Sequence, residues 1–441
     1  MLVNHLAESH VKTLITRPVS STTSLLLVVA KTARDLVRDT ALDMFYFPAL
    51  GSEPVAQVAH KQGMDLIAWE HELDRITGRS SNHGTVKLLI DGEKFFDRFL
   101  ESVNQAQDSV IIRTYIFDTD DFALQVADVL KHRSQSIDIR VLYDGLGTIN
   151  GARVSSESMP TEHKSPTNIS SYLQQDSNIR SRKISNPWLT GDHTKTAIID
   201  HHTAFLGGMN IGREYRYDWH DMMVEITGDA VSQLQQDSEE AWRYSGPLGD
   251  FSYFQHADLA TNIRKPASGY PFRLLYTSPL KEEIYQTQLK AIQRSQNYIY
   301  IENAYFSDDR MLYELAKARK RGVDVRIILP SQGNHAPMNR SNILAINSLL
   351  LHGIRVFFYP GMSHVKAAIY DNWACLGTAN FDKMSFMVNR ELNIGSSHPA
   401  LVEALRIELF EKDFSESTEI LTPLPVNWND HFYERLADVA L

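Results

Sequence analysis

Two short stretches of the chain repeat one chemical pattern. His193-Thr194-Lys195 is followed by Asp200 five residues past the lysine, and His364-Val365-Lys366 by Asp371 at the same offset. Each pattern runs into a small-residue turn ending in asparagine, Gly207-Gly208-Met209-Asn210 and Gly377-Thr378-Ala379-Asn380. A further acid stands eleven residues beyond each asparagine, Asp221 and Glu391. A lone His-x-Lys carries little information, but two copies with matched flanks, 171 residues apart, read as two related domains that each supply half of one active site.

A histidine can attack phosphorus when its second ring nitrogen donates to a carboxylate, which fixes the tautomer and stabilises the positive charge that builds up. Asp221 and Glu391 fit that orienting role. Lysine supplies a point charge and asparagine an amide donor for the non-bridging oxygens of a five-coordinate phosphodiester transition state, so Asn210 and Asn380 read as phosphate-binding. With two histidines, one displaces the leaving alcohol while the other protonates it and then activates the acceptor, a route that calls for no metal and no other cofactor. His193 is read as the nucleophile and His364 as the general acid, the internal symmetry leaving the reverse open. The short apolar runs Thr196–Ile199 and Ala367–Tyr370 have the look of buried strands, whose period of two puts His193 and Lys195 on one face, and His364 and Lys366 likewise.

With these residues the sequence resembles the phospholipase D superfamily, whose signature is His-x-Lys, four residues, Asp, and then a Gly-x-x-Asn turn. The likeness spans residues 85–420 and is greatest to the bacterial cardiolipin synthase branch. It rests on Tyr115-Ile-Phe, Leu142-Tyr-Asp-Gly-Leu-Gly147, Gly207 to Tyr215 with Trp219 and Asp221, Arg321-Gly-Val-Asp-Val-Arg326, and Ser385-Phe with Asn389 and Glu391. It implies two tandem α/β/α sandwich domains related by a pseudo-two-fold axis, with His193, Lys195, Asp200, His364, Lys366 and Asp371 as the catalytic set. It also implies a phosphohistidine intermediate and transfer of a phosphatidyl group from a phospholipid to an alcohol or to water, the latter giving phosphatidic acid. The sequence departs from the family pattern at Met384, where an arginine is usual, and at Asp371, one residue closer to its glycine than Asp200 is. A nuclease and a non-catalytic scaffold are the competing readings; both complete motifs count against the scaffold.

The 441 residues are 43% apolar and 22% charged, enough for two ordinary cores. A net charge of −10 argues against nucleic acid as a partner. Two basic patches, Arg180 to Lys183 and Lys317 to Arg321, could each contact anionic lipid, a solvated helix end being the favoured reading of the second. The longest apolar run near the start, Leu25 to Ala30, is six residues, and no signal-peptide pattern precedes it. The expected address is therefore cytoplasmic, peripheral on the membrane face; the residues say nothing of oligomeric state. The single cysteine, Cys375, reads as a buried strand residue, and His201-His202 as a solvated turn rather than a metal corner.

Along the chain, residues 1–84 read as a helical extension, with one helix between Ser24 and Phe45 and another from Pro54 to Thr77. An α/β pattern follows over 85–250, a Gly- and Pro-bearing linker over 251–271, a second α/β domain over 272–430 and a tail over 431–441. The segment from Gly145 to Pro187 reads as a long loop, and with 331–342 is expected to border the cleft. Tyr115, Phe117, Trp188, Tyr305 and Phe306 are candidates for its lining, core packing being the favoured reading for all but Trp188.

Overall fold

The computed structural model describes residues 2–59, 61–151, 156–254 and 269–427. They form two compact units, Met1–Leu26 with Asn82–Tyr270, and Leu27–Ser81 with Pro271–Leu441. Most of the expected linker and the whole of the expected tail lie outside the described residues. The N-terminal helices are α1 (Leu2–Thr16), α2 (Pro18–Ala41), α3 (Phe47–Gly51) and α4 (Leu66–Thr77). The last is shorter than the pattern from Pro54 suggests. Asp65 caps it by accepting from the Ile67 and Ala68 amides, and Gly78 ends it at φ 64°.

The first unit contains β1 (Asn82–Ile90), α5 (Gly92–Gln105), β2 (Ser109–Thr114), α6 (Asp121–Arg133), β3 (Asp138–Asp144), α7 (Gly145–Gly151), α8 (Ile169–Gln174), β4 (Arg180–Ile184), β5 (Thr196–Ile199), β6 (Thr203–Gly207), α9 (Arg213–Tyr217), β7 (Met222–Gly228) and α10 (Ala230–Tyr244). The strand order is β4-β3-β2-β5-β6-β7-β1, parallel among β2, β3 and β4 and antiparallel elsewhere. Phe95, Phe96 and Phe99 on one face of α5 meet Phe122 and Phe205 in an aromatic core. The stretch from Gly145 to Pro187 is not one loop: it holds α7, α8 and the edge strand β4. Its Ser- and Asn-rich composition hides them because both helices are short and β4, pairing on one side only, is mostly polar.

The second unit repeats this order. It contains β8 (Tyr270–Ser278), β9 (Lys281–Glu282), α11 (Glu283–Arg294), β10 (Tyr298–Asn303), α12 (Asp309–Lys320), β11 (Asp324–Pro330), α13 (Ala336–Leu351), β12 (Arg355–Tyr359), β13 (Lys366–Tyr370), β14 (Trp373–Gly377), β15 (Glu391–Ser396), α14 (Pro399–Leu405), α15 (Lys412–Glu416) and β16 (Thr418–Ile420). Its order β12-β11-β10-β13-β14-β15-β8 matches the first sheet strand for strand, with β16 added beside β12. Trp69 from α4 packs edge-on against Trp373, 5.1 Å between centroids, in its core. Cys375 lies there too, and burial pushes its thiol up to about 12, which makes it inert at neutral pH.

The two basic patches are engaged within the units. Arg180 pairs with Asp138, and Arg182 lies over Trp242 at 4.2 Å. Arg319 donates to the Gly353 and Ala56 carbonyls and Arg321 to those around the end of α11. These are helix-end and strand-edge clasps, so both patches are largely engaged by groups of the chain itself. Phe117 and Phe306 are fully buried core residues.

Candidate active site

In each unit the His-x-Lys strand is central, flanked by two antiparallel neighbours: β5 by β2 and β6, and β13 by β10 and β14. Central placement buries the lysine. Lys195 is 1% exposed and Lys366 3%. Each ammonium donates to the carbonyl of the histidine two residues earlier, Lys195 Nζ to His193 O at 2.7 Å and Lys366 Nζ to His364 O at 2.5 Å. This bond holds the histidine carbonyl against the lysine ammonium. In the first unit Tyr115 completes the group, its ring edge-on to His193 at 4.8 Å with Lys195 Nζ 5.2 Å from its centroid.

Asp200 and Asp371 stand apart from their histidines. Each begins the turn at the far end of its strand, about 20 Å away at ~3.3 Å per residue. Both have φ near 50° and both collect three consecutive backbone amides. Asp200 accepts from Gln107, Asp108 and Ser109 at 2.8–2.9 Å, and Asp371 from Gln296, Asn297 and Tyr298 at 2.8–3.0 Å. Burial alone would push the Asp200 carboxyl up, but the three amides outweigh it and hold it below the ordinary range. At the end of the strand away from the histidine, these two aspartates clasp the His-x-Lys strand to the start of its neighbour.

The asparagine turns are seated differently. Asn210 Oδ1 accepts from the Ile116 amide at 2.9 Å, so its NH2 is the end left to donate to an anion. In the second unit Asn303 takes over that clasp, its Oδ1 receiving the Tyr305 and Phe381 amides at 3.2 Å, and the buried Asn380 Oδ1 has no hydrogen-bond partner among the described residues. Beside the turns sit the two further acids. A Cβ on Gly208 would lie 2.1 Å from Asp221 Oδ1, so the first turn needs glycine there. Its counterpart Thr378 instead donates to Glu391 Oε2 at 2.5 Å while accepting the Leu392 amide.

Some supports escape a motif reading. The residue before each histidine is fixed from the strand alongside, Asp192 by a forked ion pair with the buried Arg113 at 2.7–3.1 Å, and Ser363 by Glu302 at 2.6 Å. Arg113 also pairs with Asp237. The signal was position: Arg113 and Glu302 occupy the same register, opposite the residue after each lysine. A second feature is the buried acid group Asp118, Asp120 and Glu214, whose oxygens lie within 4.8 Å of one another, a spacing that fits a metal ion. Burial first, then mutual repulsion, raises Glu214 to about 8, and burial lifts Asp118 to about 6. Asp120 also caps α6, its Oδ1 accepting the Ala123 amide.

A family model described as "Cardiolipin synthase, PLD-like domain" matches residues 99–242 and 289–414. Cardiolipin synthase A of Pseudomonas fluorescens is 27% identical over 355 residues, which cover 76% of this chain and 69% of the relative. A cardiolipin synthase of Oceanobacillus iheyensis is 28% identical over 361 residues, covering 78% and 71%. Among solved structures, that of phosphatidylserine synthase from Haemophilus influenzae aligns with a TM-score of 0.59 at 14% identity, over 84% of this chain and 96% of that one, a likeness of fold.

Proposed function

The chain belongs to the cardiolipin synthase, PLD-like family, and from that membership we propose that it transfers a phosphatidyl group between alcohols, taking a glycerophospholipid such as phosphatidylglycerol as donor. The observation that carries the reading is the duplicated His-x-Lys strand, each lysine locked onto the carbonyl of its histidine. An imidazole nitrogen of His193 attacks phosphorus, the bond from phosphorus to the headgroup oxygen breaks, and His364 gives its proton to the departing alcohol. His364 then takes the proton of the acceptor hydroxyl, whose oxygen displaces His193. Lys195, Lys366 and the Asn210 amide neutralise the growing charge on the non-bridging oxygens, Asn380 sits at the matching place, and Asp221 and Glu391 orient the imidazoles. Water in place of the acceptor gives phosphatidic acid.

The protein is further proposed to work at a membrane surface as a peripheral enzyme. Among the described residues no single helix is long and apolar enough to cross a membrane, though α1 and the helical stretch Pro18–Gly51 pass that test as a bent pair. From Leu27 on, α2 ties its charges into ion pairs, Lys31 with Glu282, Arg38 with Asp35, Asp39 with Lys383 and the half-exposed Arg34 with Asp35. Among its exposed residues are the large apolar Val29, Leu36 and Val37, followed by Met44 and Phe45, all more than half exposed. An apolar outer face suits the headgroup boundary of a bilayer. The test is purified protein with phosphatidylglycerol vesicles, read for cardiolipin and free glycerol, with and without EDTA. Equal product in both arms is expected; no cardiolipin from the wild-type protein would overturn the assignment.

A further inference from the structure

The segment Ser185–Asp192, which delivers His193, is held from two sides in the first unit. From the sheet, the fully buried Asp144 at the end of β3 accepts from the Asp192 amide at 2.9 Å, from Asn186 Nδ2 at 2.7 Å and from the Gly147 amide at 2.8 Å. From α1, His5 Nε2 meets Asn186 Oδ1 at 2.9 Å. The Leu146 amide also donates to Asn186 Oδ1, which fixes the oxygen as the acceptor and therefore His5 Nε2 as the protonated nitrogen. Two glycines make room for this. A Cβ on Gly145 would lie 2.3 Å from His5 Cε1, and one on Gly147 would lie 2.7 Å from the ring of Tyr115, the residue packed on His193. Trp188, in the middle of the segment, adopts φ 59°, a strained conformation for a bulky residue. The N-terminal helices hold it there through His10, 4.7 Å ring to ring, and through Ser21, whose Oγ takes the indole N–H at 3.2 Å.

Residues 2–26 lie outside the segments that the family model matches. We propose that His5, Asn186 and Asp144 form a positioning relay that sets the His193 imidazole, so that α1 is a working part of the first catalytic loop. The proposal rests on His193 being a reacting group. These residues touch no reacting atom; they act by fixing where the His193 backbone leaves Asp192. A displacement of about 1 Å in such a site costs on the order of 100-fold in rate.

The variants are Asn186→Ala, the volume-matched His5→Leu, and His5→Gln, whose amide can donate to the same oxygen. Two readouts apply: kcat against KM on phosphatidylglycerol vesicles, and the His193 imidazole resonances in the substrate-free protein labelled at histidine nitrogen, assigned by loss of the signal in His193→Ala. Expected are a fall in kcat of ten-fold or more with KM within two-fold for Asn186→Ala and His5→Leu, a shifted or broadened His193 signal in both, and recovery of both readouts in His5→Gln. An unchanged His193 signal with kcat within two-fold in folded His5→Leu would overturn the relay, and if Asn186→Ala fails to fold the two His5 variants still decide it. Should the wild-type protein transfer no phosphatidyl group, the functional reading falls while the imidazole signals still judge the relay.

Discussion

The two His-x-Lys strands, β5 and β13, share the contacts that fix their ends and differ in what surrounds them. Each has a lysine bound to the carbonyl of its histidine, and each ends in an aspartate that gathers three amides. But the residue before the histidine is an aspartate locked to arginine in one and a serine bound to glutamate in the other. The acid beside the asparagine turn is Asp221 against a glycine in one, Glu391 bonded to a threonine in the other. Duplication has therefore preserved the bond from each lysine to its histidine carbonyl and the aspartate clasp, while the charges around them have diverged. Two imidazoles in unlike surroundings can take unlike roles, attacker and proton carrier, without either motif losing a residue.

The strongest way to break the comparison is to remove the imidazoles one at a time. His193→Ala and His364→Ala are each expected to lower turnover on phosphatidylglycerol by more than about a thousand-fold, because residues acting as a unit fail together. A variant that retains a tenth of the activity would mean that its unit is dispensable. Next in size is the turn. Gly208→Ala drives a methyl into Asp221 Oδ1, which is buried and has nowhere to go, and should cost about 100-fold in kcat. Thr378→Ala removes only the hydroxyl bonded to Glu391 and should cost about ten-fold, at about 1.4 kcal/mol per decade. If the two fall equally, the turns are interchangeable and the asymmetry has no bearing on chemistry.

The strand and helix order was legible because hydrophobic runs bounded by turn residues are local signals. The apolar run Thr196–Ile199 is strand β5, and Ala367–Tyr370 falls within β13. Elements with weak periodicity were not legible. β4 is a polar edge strand defined by its pairing with β3, and α4 begins only where Asp65 caps it. The histidines, lysines and asparagines of the site could be named because duplication marks them. Asp200 and Asp371 carry the same mark, yet their work is done on backbone amides about seventy-five to ninety residues away in sequence, which no spacing announces. The His5–Asn186 contact spans 181 residues, longer still, and His5 lies in a stretch with no counterpart in the repeat.

Stability measurements sharpen the comparison at the residue before each histidine. Arg113→Met strands Asp192 as a buried charge without its forked partner and is expected to lower the unfolding free energy by ~3–5 kcal/mol. Ser363→Ala removes one hydrogen bond to a carboxylate, worth ~1.5–3 kcal/mol. Urea midpoints should fall in that order, and the reverse order would show that Glu302, not Arg113, carries the heavier burden.

The smallest effect should come from the aspartates that the two motifs share, and it is the one that separates clasp from catalyst. Asp200→Asn keeps the size of the side chain but weakens three charge-assisted bonds to backbone amides, so a loss of ~1–2 kcal/mol is expected with kcat per folded molecule within about three-fold. The sign of the pH dependence follows from the depressed Asp200 carboxyl. Because its folded pKa lies below the unfolded value of about 3.9, its contribution is complete above that value and disappears as pH falls through the folded pKa. The wild-type protein and Asp200→Asn should therefore differ in melting temperature by a constant amount from pH 5 to 8 and converge below about pH 4. Asp371→Asn should show a similar loss at neutral pH, since its three amide bonds repeat the same geometry. A collapse of kcat in either variant with melting temperature unchanged would place the aspartate in the reaction and undo the division between the two ends of the strand.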